Sequence, residues 1–216
     1  LIENTWLPMQ ASDFYHQSKA HSFALADICA RLWNLKVMTV QQSTIFGQCV
    51  NPELDVPSLY ARFNYDHIFG TVLNRFICQA VSKQPLTVYG DGKERTNLIC
   101  LCDTIRSFNI LIDTEIEPGE HRVYNNFTDN MSIEEIAYTV TGLYGGDVTY
   151  IDNPRKEKKS KHQKKFDKGI VERTEGSIED SIRKALDFAE RFSYNIKTEL
   201  FAPTIYWQIN RGNNGN

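Results

Sequence analysis

Tyr15 and Lys19 open a long apolar stretch and are four residues apart, so on a helix they lie one above the other. A free tyrosine hydroxyl ionises near pH 10, and a tyrosine base at neutral pH needs its anion stabilised by about 4 kcal/mol. A cation about 4 Å away supplies roughly that energy at an effective dielectric constant of about 20. The pair is therefore a candidate acid–base device, and a cationic cofactor ring would strengthen it.

The same spacing is also common in helices that carry a half-buried aromatic residue beside a solvated lysine. Catalysis is favoured by the sequence that follows. Residues 14–33 have the apolar spacing of a helix, residues 36–43 are rich in strand-forming types, and a polar segment then ends at Gly47. Helix, short link, buried strand and polar loop form the order found in open α/β sheets, whose ligands bind at the carboxyl ends of the strands.

The rest of the chain also predicts alternating helices and strands. We expect further helices at 66–82, 104–114, 133–143 and 177–192, and strands at 86–89, 97–102, 121–127 and 148–151. Residues 86–102 contain an Asp-Gly turn and could form a hairpin. Ser132 and Glu135 have the spacing of a capping box, and Gly145 is expected to end the helix that they begin.

Composition indicates an ordinary globular chain. It has 216 residues, 41% of them hydrophobic and 24% charged, and its net charge of −3 gives no reason to expect nucleic-acid binding. The basic segment 155–168 has Phe166 as its one aromatic residue, so we expect a solvated loop rather than a nucleic-acid patch. We also expect no membrane span and no signal peptide.

The chain has five cysteines, which lie in apolar runs and are odd in number. They are expected to be reduced core thiols in a cytoplasm-like compartment. Cys100 and Cys102 lack the C-x-x-C spacing of a zinc site, so no metal is expected.

At this point the chain resembles a known family. Tyr15 and Lys19 followed by a strand and residues 45–47 (IFG) look like the extended short-chain dehydrogenase/reductases that act on nucleotide sugars. Longer stretches narrow the resemblance to the UDP-sulfoquinovose synthase family. These stretches are residues 8–19 (PMQASDFYHQSK), 64–76 (NYDHIFGTVLNRF), 85–90 (PLTVYG), 122–128 (RVYNNFT) and 153–155 (NPR).

The resemblance implies a fold and a domain organisation. The fold class is α/β: the C-terminal part of a Rossmann-type doubly wound sheet plus a smaller mixed α/β domain that binds the nucleotide sugar. Residues 1–50 would belong to the Rossmann-like catalytic domain. Residues 51–216 would contain the nucleotide-sugar subdomain and elements that return to the sheet. Family members often form homodimers, which we expect here too.

The resemblance also implies roles for individual residues. Tyr15 and Lys19 would be catalytic and contact the NAD cofactor, His16 would lie near the sugar or the incoming sulfur nucleophile, and Gln42 would lie beside the sugar and the cofactor. The remaining residues that the resemblance assigns to the UDP-sugar are Thr71, Asn74, Arg75, Val88, Tyr89, Arg95 and Arg155. Guanidinium groups suit a diphosphate because they can pair two oxygens at once, and the backbone of Val88 and Tyr89 would hold the uracil.

The implied reaction joins UDP-glucose and sulfite into UDP-sulfoquinovose. Tyr15 would take the proton of the sugar 4-hydroxyl as hydride passes to NAD. The resulting ketone acidifies the C5–H bond, which allows elimination across C5–C6 and addition of sulfite at C6. The location would be cytoplasmic, or the plastid stroma in a photosynthetic eukaryote. The segment after Arg155 is lysine-rich where family members carry tyrosines and asparagine, which leaves the exact sugar open.

The glycine-rich dinucleotide loop G-x-G-x-x-G does not occur in this sequence. Family members carry that loop far upstream of the catalytic tyrosine, together with a serine or threonine that completes the catalytic set. Three interpretations remain open: the C-terminal half of a longer enzyme, a chain whose cofactor half is a separate polypeptide, or a fragment that no longer catalyses.

Overall fold

A computed structural model describes residues 14–49, 56–154, 170, 173 and 176–203 of the chain. The helices are α1 (Phe14–Trp33), α2 (Val72–Val81), α3 (Leu101–Ile112), α4 (Ile133–Tyr144) and α5 (Ile178–Arg191). The strands are β1 (Val37–Gln42), β2 (Thr44–Phe46), β3 (Leu86–Tyr89), β4 (Arg95–Cys100), β5 (His121–Asn126), β6 (Asp129–Ser132) and β7 (Val148–Ile151). Short 3-10 turns occupy Pro57–Leu59, Ser193–Asn195 and Thr198–Phe201.

These elements form two compact units. Unit 1 comprises Leu1–Gln41 and Asn109–Asn125, and unit 2 comprises Gln42–Phe108 and Asn126–Asn216. The predicted catalytic domain of residues 1–50 stays a prediction, because a compact grouping in space does not identify a catalytic part.

Unit 1 is built on α1 and on the pairing of β1 with β5, where the Val37 amide donates to the Glu120 carbonyl at 3.1 Å. Asn34 has φ +55°, so the chain leaves α1 in the left-handed conformation that asparagine tolerates. Burial in this unit is sparse. Ala30 of α1 is fully buried, whereas most large apolar side chains of that helix are exposed.

Unit 2 holds the main hydrophobic core. Strand β4 lies between parallel β2 and antiparallel β6, and β3 pairs in parallel with β7. Helix α2 packs against α4 and α5, and fully buried Phe76 and Leu73 of α2 meet Leu98 of β4 and Ile182 of α5 in this core. The core fixes the positions of the strand ends and of the N-terminus of α2.

The predicted hairpin over residues 86–102 is wrong. The turn exists, with Gly90 and Gly92 at positive φ, but β3 and β4 belong to different sheets. A Cβ atom at Gly92 would lie 2.9 Å from Val88 and 3.0 Å from Glu134, so the turn packs tightly onto the start of α4. The parallel partner β7, distant in sequence, takes the hydrogen bonds that a hairpin would have used.

Helix α2 begins later than its apolar pattern predicted. Asp66 accepts bonds from the amides of Ile68 and Phe69, and the Gly70 amide donates to the Asp66 carbonyl. A Cβ at Gly70 would lie 2.3 Å from that carbonyl oxygen, so a glycine is required there. Thr71 then caps the helix by accepting from the Asn74 amide. A capped turn therefore precedes the helix.

The predicted capping box of α4 is confirmed. The Ser132 hydroxyl accepts from the Glu135 amide at 3.1 Å, and the Glu135 carboxylate accepts from the Ser132 amide at 2.8 Å. This bond, and next the hydrogen bond from Arg95, lower the pKa of Glu135. The carboxylate is therefore charged at neutral pH and adds to the stability of the helix end.

We expect Ser132→Ala to lower the free energy of unfolding by about 1 kcal/mol, because the first turn of α4 loses an acceptor. Urea unfolding followed by circular dichroism measures the change. Thr141→Ala is the matched control, since within the described residues the Thr141 hydroxyl bonds to the Tyr138 carbonyl one turn earlier in the same helix. Equal stability of the Ser132 variant and the wild type would contradict this assignment of the cap.

The expectation that all cysteines are core thiols is wrong for most of them. All five are free, but only Cys78 is buried; Cys49 and Cys102 are exposed and the other two are intermediate. Burial raises the pKa of Cys78 to about 12. Among the described residues no helix is both long and apolar enough to cross a membrane, and no cluster of His, Cys, Asp and Glu could hold a metal ion.

Candidate active site

The predicted acid–base pair lies on one face of α1 in unit 1. The Lys19 Nζ atom is 5.2 Å from the centre of the Tyr15 ring, a cation–π distance, and Tyr15 is 66% exposed. The His16 ring stands edge-on to the Tyr15 ring at 5.3 Å. The two side chains therefore face the same way and are open to a ligand, while their catalytic role stays a prediction.

A polar cluster that sequence reasoning missed anchors this helix to the β1–β5 sheet of unit 1. The His121 side chain is only 6% exposed; its Nε2 lies 2.8 Å from the Thr39 hydroxyl and its Nδ1 lies 3.6 Å from Asp27. Phe23 packs its ring at 5.2 Å from the same imidazole. The residues are far apart in sequence, so no local pattern signalled the cluster.

Gln42, at the carboxyl end of β1, is held by a polar network in unit 2. Fully buried Asn126 donates from Nδ2 to Gln42 Oε1 at 2.9 Å. The Ser107 hydroxyl lies 2.8 Å from Asn126 Oδ1 and 2.7 Å from the Asp103 carbonyl. This network orients the Gln42 amide and leaves its Nε2 group as a donor. Asn126 was part of a motif that we noted, but nothing in that motif pointed to this supporting role.

A cavity of about 340 Å³ opens within unit 2 beside the N-terminus of α2. Four of the residues predicted to bind substrate line it: Thr71, Arg75, Tyr89 and Arg95. They come from the start of α2, the end of β3 and the start of β4, which the two sheets and the core bring together. The cavity is therefore a polar pocket with two guanidinium groups in its wall.

Arg75 is the buried cation of this pocket. It is 6% exposed, donates to the Thr87 carbonyl at 3.0 Å and lies 4.2 Å from the centre of the Tyr89 ring. The Tyr89 hydroxyl is buried and has no hydrogen-bond partner within the part of the chain that the structure describes. A buried hydroxyl without a partner is costly unless something supplies one, and a polar ligand in the pocket would do so.

Arg95 is held by groups of its own unit. Its Nε donates to Asn130 Oδ1 at 2.6 Å, a terminal nitrogen donates to the Asn130 carbonyl at 2.6 Å, and the other pairs with Glu135 at 3.1 Å. Its side chain remains 33% exposed. A phosphate that binds Arg95 must compete with the carboxylate of Glu135.

Two predicted residues have structural contacts within unit 2, and that of Asn74 is the alternative role its sequence also allows, a helix asparagine bonded to neighbouring loops. Asn74 is buried; its Oδ1 accepts from the Gly47 amide and its Nδ2 donates to the Asn64 carbonyl, both at 3.2 Å. Val88 is fully buried in the core. Arg155 lies outside the described residues.

The parallel pairing of β3 with β7 decides which backbone groups of β3 are available to bind a uracil ring. The amides of Leu86 and Gly90 donate to β7, so by alternation Val88 also faces β7. On the opposite edge, Gln79 accepts from the Thr87 amide at 3.2 Å. Of the two residues predicted to hold uracil through their backbone, only Tyr89 therefore points its backbone groups to the open edge.

Comparison with known proteins agrees with the motif-based resemblance. The chain is 32% identical over 213 residues to the chloroplastic UDP-sulfoquinovose synthase of Spinacia oleracea. The matched region covers 93% of this chain and 43% of the relative. The chain thus spans less than half the length of the curated relative that it matches. No family model matches the chain.

Solved structures show the fold. A UDP-N-acetylglucosamine 4-epimerase from Methanobrevibacter ruminantium has a TM-score of 0.63 at 15% identity, over 89% of this chain and 59% of that structure. A dTDP-glucose 4,6-dehydratase from Bacillus anthracis in complex with NAD has a TM-score of 0.60 at 16% identity, over 85% of this chain and 54% of that structure. The predicted α/β, Rossmann-type fold is confirmed, and so is the resemblance to UDP-sulfoquinovose synthases.

Proposed function

We propose that the chain is the sugar-nucleotide-binding portion of an NAD-dependent enzyme of the UDP-sulfoquinovose synthase type. Its substrates would be UDP-glucose and a sulfur donor such as sulfite. The observation that carries the proposal is the side-by-side placement of Tyr15 and Lys19 on an exposed helix face, in a chain similar to such a synthase over 93% of its length. A tyrosine–lysine pair that arose by chance would not be expected in a chain with that similarity.

The residues of α1 suit the nicotinamide end of NAD. The Lys19 ammonium and the Tyr15 hydroxyl are both exposed donors that can hold ribose hydroxyl groups. The sequence has no glycine-rich fingerprint, so the pyrophosphate of the cofactor must be bound by another part of the enzyme. NAD, when bound, supplies the acceptor and later the donor of the hydride at sugar C4.

Tyr15 is the proposed base that removes the proton from the sugar 4-hydroxyl. The Lys19 ammonium lies beside the Tyr15 ring, 5.2 Å from its centre. The 4-keto sugar that results has an acidic C5–H bond, and loss of that proton with the 6-hydroxyl leaves an acceptor to which sulfite adds at C6. His16, whose ring contacts Tyr15, is the nearest candidate for a second proton-transfer group on this face.

The cavity of unit 2 is the proposed site of the UDP group. Arg75 and Arg95 would pair with the diphosphate, Thr71 lies at the N-terminus of α2 where anions are favoured, and the open backbone edge at Tyr89 would hold the uracil. Gln42 and Asn74 would contribute through their amides. The assignments of Thr71, Arg75, Tyr89 and Arg95 rest on the chemistry of the cavity wall, whereas those of Gln42 and Asn74, which do not line it, rest on the resemblance.

Exposed apolar side chains in unit 1 support a further portion of the enzyme that covers them. Leu25, Leu32 and Trp33 of α1 are 61%, 69% and 68% exposed, and Ile112 of α3 is 79% exposed. A cluster of exposed large apolar side chains on one unit is typical of an interaction site. We propose that the dinucleotide-binding portion, on the same or a separate polypeptide, packs there.

Calorimetry separates this proposal from its alternatives. The isolated chain should bind UDP-glucose measurably and NAD hardly at all. Once the dinucleotide-binding portion is present, product should form only with sulfite and carry a sulfonate detectable by mass spectrometry. Turnover without sulfite would indicate another UDP-sugar epimerase or dehydratase, and absence of UDP-glucose binding would refute the proposal. The homodimer and the compartment, cytoplasm or plastid stroma, stay predictions.

A further inference from the structure

Three cysteines converge where β2 and β4 end in unit 2. The parallel register pairs Phe46 of β2 with Cys100 of β4. Beyond these partners, Cys49 follows β2 and Cys102 lies in the first turn of α3. Two strands that end side by side thus place cysteines from distant parts of the sequence in one small region.

Cys49 and Cys102 are the two exposed members of this group, and the Cys102 thiol contacts the backbone next to Cys49. The Cys102 thiol lies 3.8 Å from the carbonyl oxygen of Gln48, the residue that precedes Cys49. Cys49 is also one of the groups that act on the Cys102 thiol, and both residues are exposed. Burial of its sulfur, and then the interaction with Cys49, raise the pKa of Cys102.

The other cysteines are placed differently. Cys100 is half-buried and directs its thiol to Asp103 Oδ2 at 3.2 Å. Cys78 is buried in the core of unit 2, and Cys29 belongs to unit 1. Cys49 and Cys102 are therefore the two exposed cysteines of unit 2 among the described residues, and the end of β2 brings Cys49 to the first turn of α3.

We propose that Cys49 and Cys102 form a redox-active dithiol that closes to an intrachain disulfide when it meets a low-molecular-weight disulfide such as glutathione disulfide. The Cys49 thiolate attacks one glutathione sulfur, forms a mixed disulfide and releases one glutathione thiolate. Cys102 then gives up its proton, attacks the Cys49 sulfur and releases the second glutathione. Two electrons pass from the two thiols to glutathione disulfide, which is reduced to two glutathione molecules.

The disulfide would fix the segment that leaves β2. That segment is already attached on one side, since the Gly47 amide donates to Asn74 and the Ala61 amide donates to the Gln48 side chain at 2.9 Å. A covalent bond to α3 would close the long loop between Cys49 and Cys102 and reduce the freedom of the unfolded chain. The proposal goes beyond the proposed function and does not depend on it.

The test uses the full chain, reduced and then incubated with glutathione disulfide at pH 8 before all remaining thiols are alkylated. We expect two fewer alkylated thiols than in the reduced chain, and a peptide pair linked through Cys49 and Cys102. The midpoint of thermal unfolding should rise by about 5–10 °C and return after reduction. The second step should accelerate with rising pH, because more Cys102 then ionises.

Serine variants separate the proposed pair from general thiol oxidation. Cys102→Ser should leave a lasting glutathione adduct on Cys49, and Cys49→Ser should abolish the thermal shift. Cys29→Ser, the matched control, should form the disulfide as the wild type does. Alkylated Cys49 in the oxidised wild-type chain, separate glutathione adducts on the two residues, or a bond between Cys100 and Cys102 would each overturn the proposal.

Discussion

Replacement of Tyr15 by phenylalanine is expected to lower turnover of UDP-glucose by about 10²–10⁴-fold, the usual contribution of a positioned acid–base group. The substitution removes only the hydroxyl oxygen. The ring that lies 5.2 Å from the Lys19 ammonium and beside His16 remains, so the local packing of α1 should not change. Turnover is measured in an enzyme that joins this chain to the dinucleotide-binding portion of a relative.

Two measurements distinguish lost chemistry from lost structure in this variant. Calorimetry should show unchanged affinity for UDP-glucose, because the cavity of unit 2 is untouched. Tyr138→Phe is the matched control, since Tyr138 is also a helical tyrosine and is 54% exposed. Its turnover should match the wild type. Wild-type turnover in the Tyr15 variant would remove the phenol from the mechanism.

Local patterns predicted the elements of this fold well where short-range physics determines them. The apolar spacing of residues 14–33 gave α1 in full, and the spacing of Ser132 and Glu135 gave the cap of α4. The hairpin failed for a different reason. Its Asp-Gly turn is real, but whether the strands beside a turn pair with each other depends on the rest of the sheet, and β7 is a better-placed partner for β3.

The candidate site shows a similar limit. Residue type and resemblance identified Arg75, Tyr89 and Arg95, and these do line one cavity. The sequence could not show that Glu135, forty positions away, pairs with Arg95. Nor could it show that Asn126 supports Gln42. Such partners meet only through the tertiary fold, so a single sequence without a structure leaves them out.

The competition between Glu135 and a ligand for Arg95 leads to the second large effect. If Arg95 binds the diphosphate, Arg95→Met should weaken UDP-glucose binding by about 10–100-fold, because a hydrogen bond to a charged group contributes about 1.5–3 kcal/mol. Methionine preserves much of the aliphatic stem, so packing against the cavity wall changes little. Calorimetry of the chain with UDP-glucose measures the loss.

Glu135→Gln provides a test in the opposite direction. Glutamine at this helix position can still accept from the Ser132 amide, so the capping box is kept. The charge that neutralises Arg95 disappears. The pair is exposed, at 33% and 52%, so its loss costs little, and loss of the charge at the start of α4 should cost less than about 1 kcal/mol. Affinity for UDP-glucose should therefore rise a few-fold in Glu135→Gln. If both variants bind UDP-glucose like the wild type, Arg95 serves only to join β4 to β6 and α4, and the diphosphate must be held elsewhere.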